Sequence, residues 1–378
     1  MVKSENSAIR PPSPNEIEIS LFGPSYGESV VVHAGHSNWF VIDSCFSRGT
    51  SESAPLRYLR KLGVDLENEI RGIVVTHWDQ DHIRGLGQIL EAAPNAEVII
   101  SAAFYCEELL ALLEASKQLA SDDGHAELRG VFSRLETNLR SPLLAAQDKT
   151  LWNDVVNSID RAALVALAPS DATIMEGHLE VGSFFQQVAE NRGRPPQPKR
   201  NHRSIVLWLR LHNAIAILGS DLEETGNPNR GWSAIVNSNV TRDRASAFKI
   251  PHHGSENGDC AEIWPNLLHP NPIGALTPWR RGGKLLPTRE DLTRLLERTD
   301  SLYITAIPQN EKVIRASETQ AAINAFAPRL YRKLDCSGHI MVRADATAVL
   351  PEWTVTLFAT ARKVTPNLVR AFPKYVSS

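Results

Sequence analysis

The segment that most constrains this chain is a short apolar run that ends in several potential metal ligands. Residues 73–76 are Ile-Val-Val-Thr, and such β-branched residues predict a buried strand. Residues 83–90 are typical of a helix. The loop between these two elements contains His77, Asp79, Asp81 and His82. Imidazole and carboxylate groups on one strand-to-helix loop suit zinc, manganese or iron.

The alternative to a metal site is that residues 77–82 form a solvated polar loop in which Asp81 caps the helix. Ligands elsewhere in the chain decide between these two interpretations. Asp221 follows the apolar run 214–218, and His252 and His253 follow the run 245–250. Ligand sites in α/β sheets usually lie at the carboxyl ends of strands. The joint occurrence predicts a centre with two adjacent metal ions, which would polarise a substrate and activate water.

The bulk composition favours an ordinary globular protein. Of 378 residues, 42% are hydrophobic and 22% charged, and the formal net charge of −3 argues against a generally basic nucleic-acid binder. A local basic groove remains compatible with that charge. The four cysteines form no CxxC pair, which favours reduced, structural thiols. With no signal peptide and no apolar stretch that could span a bilayer, we expect a cytoplasmic protein without a membrane partner.

The order of predicted elements indicates an α/β (α+β) fold. Strands open the chain from residue 16 and close it near residue 357, and strands alternate with helices between them. This pattern predicts two mixed sheets packed face to face with helices outside. Residues 1–15 are polar and Pro-rich, so we expect a flexible N-terminal arm, and we assign residues 359–378 to a C-terminal tail.

A helical insertion is predicted over residues 104–162. Residues 107–120 have a strong apolar stripe, and residues 126–139 and 151–159 have weaker ones. Such stripes usually pack in a core or an interface. The insertion could therefore cover the sheet as a lid or dock a protein partner.

The ordered motifs resemble the metallo-β-lactamase fold superfamily, and within it the branch that includes the hydrolase domain of the DNA-uptake protein ComEC. The resemblance covers most of residues 16–358 apart from the insertion. It implies a four-layer αββα sandwich with a two-metal centre at one edge. The motifs that carry it are His77-Trp-Asp-Gln-Asp-His82, Asn201-His-Arg-Ser204, Gly219-Ser-Asp221, Lys249-Ile-Pro-His-His-Gly-Ser255, Leu286-Pro-Thr-Arg-Glu-Asp-Leu292 and Gly338-His-Ile-Met-Val342.

The resemblance also implies how the ligands divide between the ions. The first metal would be held by His77 and Asp79, the second by Asp81 and His82, and Asp221 would bridge them. One of His252 and His253 would complete the second site, and the other could contact substrate or donate a proton to the leaving group. The sequence leaves this choice open.

This chain departs from the common pattern at two positions. Many superfamily members have His in place of Asp79, and a further His ligand in place of Asn201. The carboxylate makes Mn²⁺ as plausible as Zn²⁺. Asn201 could be a weak ligand or orient one, with His202 as the alternative. Asp43 resembles an early strand-end Asp that orients a ligand His by a hydrogen bond.

Three features favour a phosphodiester substrate. The site is rich in carboxylates, the branch it resembles includes a domain implicated in DNA degradation, and basic residues fall on nearby loops. The basic candidates for phosphate binding are Arg200, Arg203, Lys249, Arg280, Arg281 and Lys284.

We therefore predict a dinuclear metal-dependent hydrolase, most simply a phosphodiesterase or nuclease on DNA or RNA in defence or nucleic-acid processing. The predicted catalytic residues are Asp81, His252, His253 and Lys249. One alternative is hydrolysis of a small phosphodiester or carboxylic ester. Another is a metal-stabilised subunit of a larger complex, whose insertion docks a protein partner.

Overall fold

The computed structural model describes residues 2–3, 9–23, 27–47, 49–104, 130, 141–189, 201–281, 284–307 and 338–372, with backbone alone for 2–3, 181–189 and 281. In chain order the strands are β1 Val2–Lys3, β2 Glu16–Gly23, β3 Ser29–Ala34, β4 Trp39–Ile42, β5 Ile70–Val75, β6 Glu97–Ser101, β7 Leu143–Ala145, β8 Lys149–Val156, β9 Ile159–Ala166, β10 Leu207–Leu211, β11 Ala214–Leu218, β12 Ala245–Lys249, β13 Leu268–Leu276, β14 Trp279–Arg281, β15 Lys284–Leu286, β16 Leu302–Ile304, β17 Gly338–Asp345, β18 Thr354–Ala359 and β19 Arg362–Lys363. The helices are α1 Ala54–Leu62, α2 Leu66–Glu69, α3 Gln80–Ile83, α4 Leu86–Ala92, α5 Asp171–Ala189, α6 Gly231–Val236, α7 Ile263–Leu267, α8 Arg289–Leu296 and α9 Pro366–Ala371.

The strands form two large mixed sheets and one small hairpin. The first sheet has the order β1-β18-β17-β2-β3-β4-β5-β6-β7, and the second has the order β19-β16-β13-β12-β11-β10-β9-β8. Strands β14 and β15 pair with each other as the hairpin. In the first sheet β4 and β5 are parallel, and in the second β11 and β12 are parallel, so each pair ends at a common edge.

Three apolar layers hold the sheets and helices together. Ile19 of β2 and Leu209 of β10 belong to the core between the sheets. Leu59 of α1 packs on the outer face of the first sheet, and Trp232 of α6 and Leu292 of α8 pack on the outer face of the second. Each sheet is thus buried on both faces, which explains why many strands are apolar without alternation. The predicted αββα sandwich is confirmed.

Local sequence signals explain several elements. Helix α1 has Pro in its first turn and ends at Gly63, and β10 and β11 pair as a hairpin around His212 and Asn213. Thr288 caps α8 in a reciprocal capping box with Asp291. The helix predicted after His82 is instead divided into α3 and α4, because Gly85 takes a left-handed φ of 82° between them.

The prediction of a helix at residues 151–159 is wrong. Strands β8 and β9 form an antiparallel hairpin there. Asn157 and Ser158 turn the chain with φ values of 50° and 63°, which short polar residues tolerate. Leu151 and Ile159 have helical spacing but lie on different strands. Residues 105–129 and 131–140 lie outside the described residues, so the rest of the predicted insertion and its partner-docking role stay predictions.

Regular structure occurs in the described parts of both predicted end segments. Strand β1 pairs in parallel with β18, where a loose arm was expected. In the predicted tail, β19 pairs with β16, Thr365 caps α9, and Phe372 is fully buried. The sequence analysis also missed α5, which follows β9. Among the described residues, no helix combines the length and apolar character needed to cross a bilayer.

Candidate metal centre

The predicted ligands meet where strands of the two sheets end. His77 and His82 follow β5, Asp221 follows β11, and His253 follows β12. Asp43 directly follows β4, the parallel neighbour of β5. Because these strands end at one edge of the sandwich, residues far apart in sequence become neighbours in space.

Asp221 lies at the middle of the cluster. Its Oδ2 is 3.3 Å from Nε2 of His82, 3.3 Å from Nε2 of His253 and 4.0 Å from Nε2 of His77. Asp79 Oδ2 lies 3.9 Å from His77 Nε2. The bridging role that the resemblance implies for Asp221 stays a prediction.

Asp81 lies near two of the three histidines. Asp81 Oδ2 is 3.7 Å from His253 Nε2 and 4.0 Å from His82 Nε2. Asp81, His82 and His253 thus present ligand atoms within 4.8 Å of one another. His253, rather than His252, is the member of the pair that faces the cluster.

Hydrogen bonds on the far side of each ring fix the orientation of the histidines. His253 Nδ1 donates to the carbonyl oxygen of Thr277 at 3.1 Å, and His82 Nδ1 donates to Asp43 Oδ2 at 2.7 Å. His77 Nδ1 lies 3.0 Å from the Thr76 hydroxyl, which itself donates to Asp43 at 2.6 Å. In the tautomers that this network assigns, the Nδ1 atoms carry the protons and the lone pairs lie on Nε2.

The atoms that face the middle of the cluster have no other partner. Nε2 of His77, His82 and His253 are buried without a hydrogen-bond partner among the described residues, as is Oδ1 of Asp221 on the Lys249 side of that carboxylate. Lone pairs and carboxylates that face one another in a buried site repel each other unless a positive charge lies between them. The donor set therefore fits divalent cations.

The pKa values of the cluster also indicate that positive charge stabilises it. Burial opposes charging of His253, but Asp221 and Asp81 outweigh it and raise the pKa to about 10. Burial likewise opposes charging of His82, yet Asp221 and Asp43 raise its pKa well above the ordinary value. Burial favours protonated Asp221, but His253 and His82 hold its pKa well below the usual range. Without metal, protons on these histidines balance the carboxylates.

Unusual backbone conformations surround the centre. Asp43, Ser220, His252 and His253 all have left-handed φ values, between 43° and 57°. Such conformations cost about 1–3 kcal/mol each and cluster at functional sites. The consecutive left-handed residues direct His253 into the cluster while His252 faces a different set of neighbours.

A buried network beneath the ligands was not predicted from the sequence. Lys249 forms an ion pair with Glu28 and donates to the carbonyl oxygen of Ser220 at 2.7 Å. Glu28 also accepts a hydrogen bond from Thr277 Oγ1, and Thr277 holds His253. A single acidic residue at the start of β3 gave no signal that could reveal this network.

Lys249 was predicted to bind phosphate and to act in catalysis, and the structure does not support either role. Its side chain is 2% exposed, and its Nζ lies 3.7 Å from Asp221 Oδ1. Enclosed in this way, Lys249 cannot contact a substrate. It positions Asp221 and neutralises part of the negative charge around it.

A second polar cluster lies around His252. Its Nε2 lies 3.1 Å from Asn201 Nδ2, and its Nδ1 lies 2.9 Å from Asn257 Oδ1. Asn201 also donates to Glu223, whose other oxygen lies 3.0 Å from His202 Nε2. The described contacts therefore assign Asn201 and His202 to the surroundings of Glu223, a residue that the sequence analysis did not single out.

The predicted phosphate-binding residues are divided between buried, exposed and undescribed positions. Arg203 is 3% exposed and forms an ion pair with Glu180, so it is not available to a substrate. Arg280 and Lys284 are exposed on the β14–β15 hairpin, and Trp279 of this hairpin stacks on His253 with centroids 6.3 Å apart. Arg200 and the side chain of Arg281 lie outside the described residues.

Comparisons with known proteins give one family match and several distant structural likenesses. Residues 22–107 match the model of the metallo-beta-lactamase superfamily. None of the curated proteins matches this chain significantly. Among solved structures, similar chains include a metallo-beta-lactamase motif mutant from Cronobacter sakazakii, with 16% identity, coverage of 61% of this chain and 75% of the other, and a TM-score of 0.33.

Two further solved structures show weaker likeness. MEM-A1, a subclass B3 metallo-beta-lactamase from a soil metagenome library, is 13% identical, with coverage of 62% and 78% and a TM-score of 0.31. Zn²⁺-bound PqqB from Methylobacterium extorquens is 10% identical, with coverage of 50% and 51% and a TM-score of 0.25. The matched residues 22–107 include Asp43 and all four ligands of the loop after β5. The match is confined to residues 22–107, and over these residues the chain is similar to the metallo-beta-lactamase superfamily.

Proposed function

We propose that this protein is a metal-dependent hydrolase that cleaves phosphodiester bonds in a nucleic acid. The observation that carries the proposal is the convergence of three unpartnered Nε2 atoms on Asp221. Two divalent cations, when bound, would supply Lewis acidity and lower the pKa of water enough to form a nucleophile near neutral pH. Either Zn²⁺ or Mn²⁺ suits a site of mixed imidazole and carboxylate ligands.

The exposure of the carboxylates supports one direction of approach for the substrate. Asp221 is 5% exposed at its side chain, whereas Asp81 is 25% and Asp79 35% exposed. The substrate would therefore meet the centre on the side of Asp79 and Asp81. There Asp81 would accept a hydrogen bond from the attacking water, and Asp221 and His253 would keep their relative positions through the Lys249 and Thr277 contacts.

Charge near the centre favours a phosphate over an uncharged ester. Arg280 and Lys284 are exposed on a hairpin whose Trp279 packs on His253. Guanidinium and ammonium groups bind phosphate oxygens through charge-assisted hydrogen bonds. Three further points stay predictions. They are placement in the branch of the ComEC hydrolase domain, a role in defence, and proton donation by His252.

Hydrolysis assays with metal-reconstituted protein test the proposal. The substrates are single-stranded DNA, duplex DNA, RNA and bis-p-nitrophenyl phosphate, with p-nitrophenyl acetate as the carboxylic ester. We expect cleavage of at least one nucleic acid and its loss in Asp81→Asn. The control is Asp345→Asn, because Asp345 is an exposed carboxylate at the far end of β17. Cleavage of the carboxylic ester alone, or full activity of Asp81→Asn, would overturn the proposal.

A further inference from the structure

A cavity of about 440 Å³ opens beside the metal centre. None of the candidate metal ligands described above is among its lining residues. Its walls come from the end of β2, the start of β17, the end of β18, helix α1 and the loop after Asp43. A volume of this size is typical of sites for small organic groups. The lining residues that matter here are Phe22, Arg57, Tyr58, Lys61, His339 and Phe358.

The cavity lies on the same edge of the first sheet as the centre. Strand β2 is antiparallel to β3, and β3 is antiparallel to β4, so β2 and β4 end on the same side. Two strand spacings separate them, a distance of roughly 10 Å. Gly23 at the end of β2 also lies against Thr277, the residue that holds His253.

One wall of the cavity is aromatic. His339 stacks between Phe22 and Phe358, with ring centroids 4.4 and 4.8 Å apart, and Tyr58 meets His339 edge-on. Burial lowers the pKa of His339 to about 3, so this ring is neutral. A neutral stack of rings with one partly exposed member, Phe358, is suited to the flat face of another ring.

The mouth of the cavity carries positive charge. Arg57 and Lys61 lie one turn apart on α1 and are exposed. Arg57 donates to Ser47 at 2.6 Å, and Lys61 has no ion-pair partner in the described part of the chain. Among the described residues no Asp or Glu lines the cavity, and Glu18 beneath it is already bonded to Tyr58 and Arg343.

We propose that this cavity binds one nucleotide of the substrate strand next to the scissile phosphate. The base would stack on Phe358, and the adjoining phosphate would bind Arg57 and Lys61. This inference rests on the proposed function, because it makes the bound strand the substrate. It adds a binding site that the metal centre alone does not supply.

Two chromogenic esters on metal-loaded protein test the cavity through catalysis. Bis-p-nitrophenyl phosphate has neither a base nor a second phosphate to place at the cavity, whereas the 5′-p-nitrophenyl ester of thymidine 3′,5′-bisphosphate has both. We expect Lys61→Glu to lower kcat/KM for the nucleotide ester about tenfold, as for the loss of one charge-assisted contact, with little effect on the simple diester. Arg60→Glu makes the same charge change on the same helix outside the cavity. It should leave kcat/KM unchanged for both substrates.

Direct binding separates failure of the cavity from failure of the proposed function. Isothermal titration with thymidine 5′-monophosphate should show saturable binding that weakens about tenfold in Phe358→Ala, whereas binding of inorganic phosphate should not change. If no diester is cleaved but Lys61→Glu weakens this binding, the cavity stands and the proposed function fails. If Lys61→Glu and Phe358→Ala match Arg60→Glu in every assay, the cavity proposal is overturned.

Discussion

Nδ1 of His82 donates a 2.7 Å hydrogen bond to Oδ2 of Asp43, and this bond leaves Nε2 of His82 facing Asp221. Asp43 also accepts from the backbone N–H of Thr76 at 2.8 Å and from its hydroxyl group. One carboxylate thereby orients His82 directly and His77 through Thr76. Since Asp43 itself does not face the middle of the cluster, it is a positioning residue.

Replacing Asp43 with Asn should weaken metal binding without removing a ligand. The amide keeps the shape of the carboxylate but loses the charge that holds His82 and Thr76. Loss of such a partner typically costs about 10–100-fold in metal affinity. Metal titration of chelator-treated protein measures the change, and excess metal should restore most of the hydrolytic activity. Unchanged affinity would show that the contact does not position His82.

The buried pair of Lys249 and Glu28 should matter for stability. Lys249→Met leaves Glu28 buried without its partner, which typically costs about 3–5 kcal/mol of unfolding free energy. The double variant Glu28→Gln, Lys249→Met should recover part of that loss because neither charge then remains unpaired. Urea unfolding of the metal-free proteins gives both values. A normal stability for Lys249→Met with a raised KM would instead indicate contact with substrate.

The metal-free protein should lose stability as the pH rises from 6.5 to about 10. The pKa of His253 is raised from 6.5 to about 10 in the folded state, mainly by Asp221 against the effect of burial. This group therefore contributes stability fully below pH 6.5 and loses it as the pH passes about 10.

Metal competes with the same protons, so metal affinity should rise over that range. Thermal unfolding with chelator and with Zn²⁺ should give midpoints that diverge as the pH increases. Parallel midpoints would contradict the assignment of His253 as a ligand.

The two adjacent histidines should behave differently. His253 faces Asp221 and Asp81, whereas His252 faces Asn201 and Asn257. His253→Ala should therefore remove bound metal, and His252→Ala should retain the metal content of the wild type. Metal analysis of the purified variants compares them, with circular dichroism as a check on folding. Equal loss in both variants would place His252 among the ligands.

The parts of the site that could be predicted from sequence are those carried by local patterns. A short apolar run that ends in His or Asp marks a strand end, which was enough to place Asp221 and the histidine pair. Glu28 could not be found in this way, because its contact with Lys249 joins residues far apart in the chain. The hairpin at Asn157 was mistaken for a helix because apolar spacing outweighed the turn residues that interrupt it.

The metal content of wild-type protein and of Asp221→Asn tests the central claim most directly. Asp221 Oδ2 lies within 4.0 Å of Nε2 of His77, His82 and His253, so its carboxylate should be needed to hold both ions. Titration of chelator-treated protein with Zn²⁺ or Mn²⁺, followed by elemental analysis, should give two ions per wild-type chain and substantially fewer in the variant. Fewer than two ions in the wild type, or the same content in both proteins, would contradict a dinuclear centre bridged by Asp221.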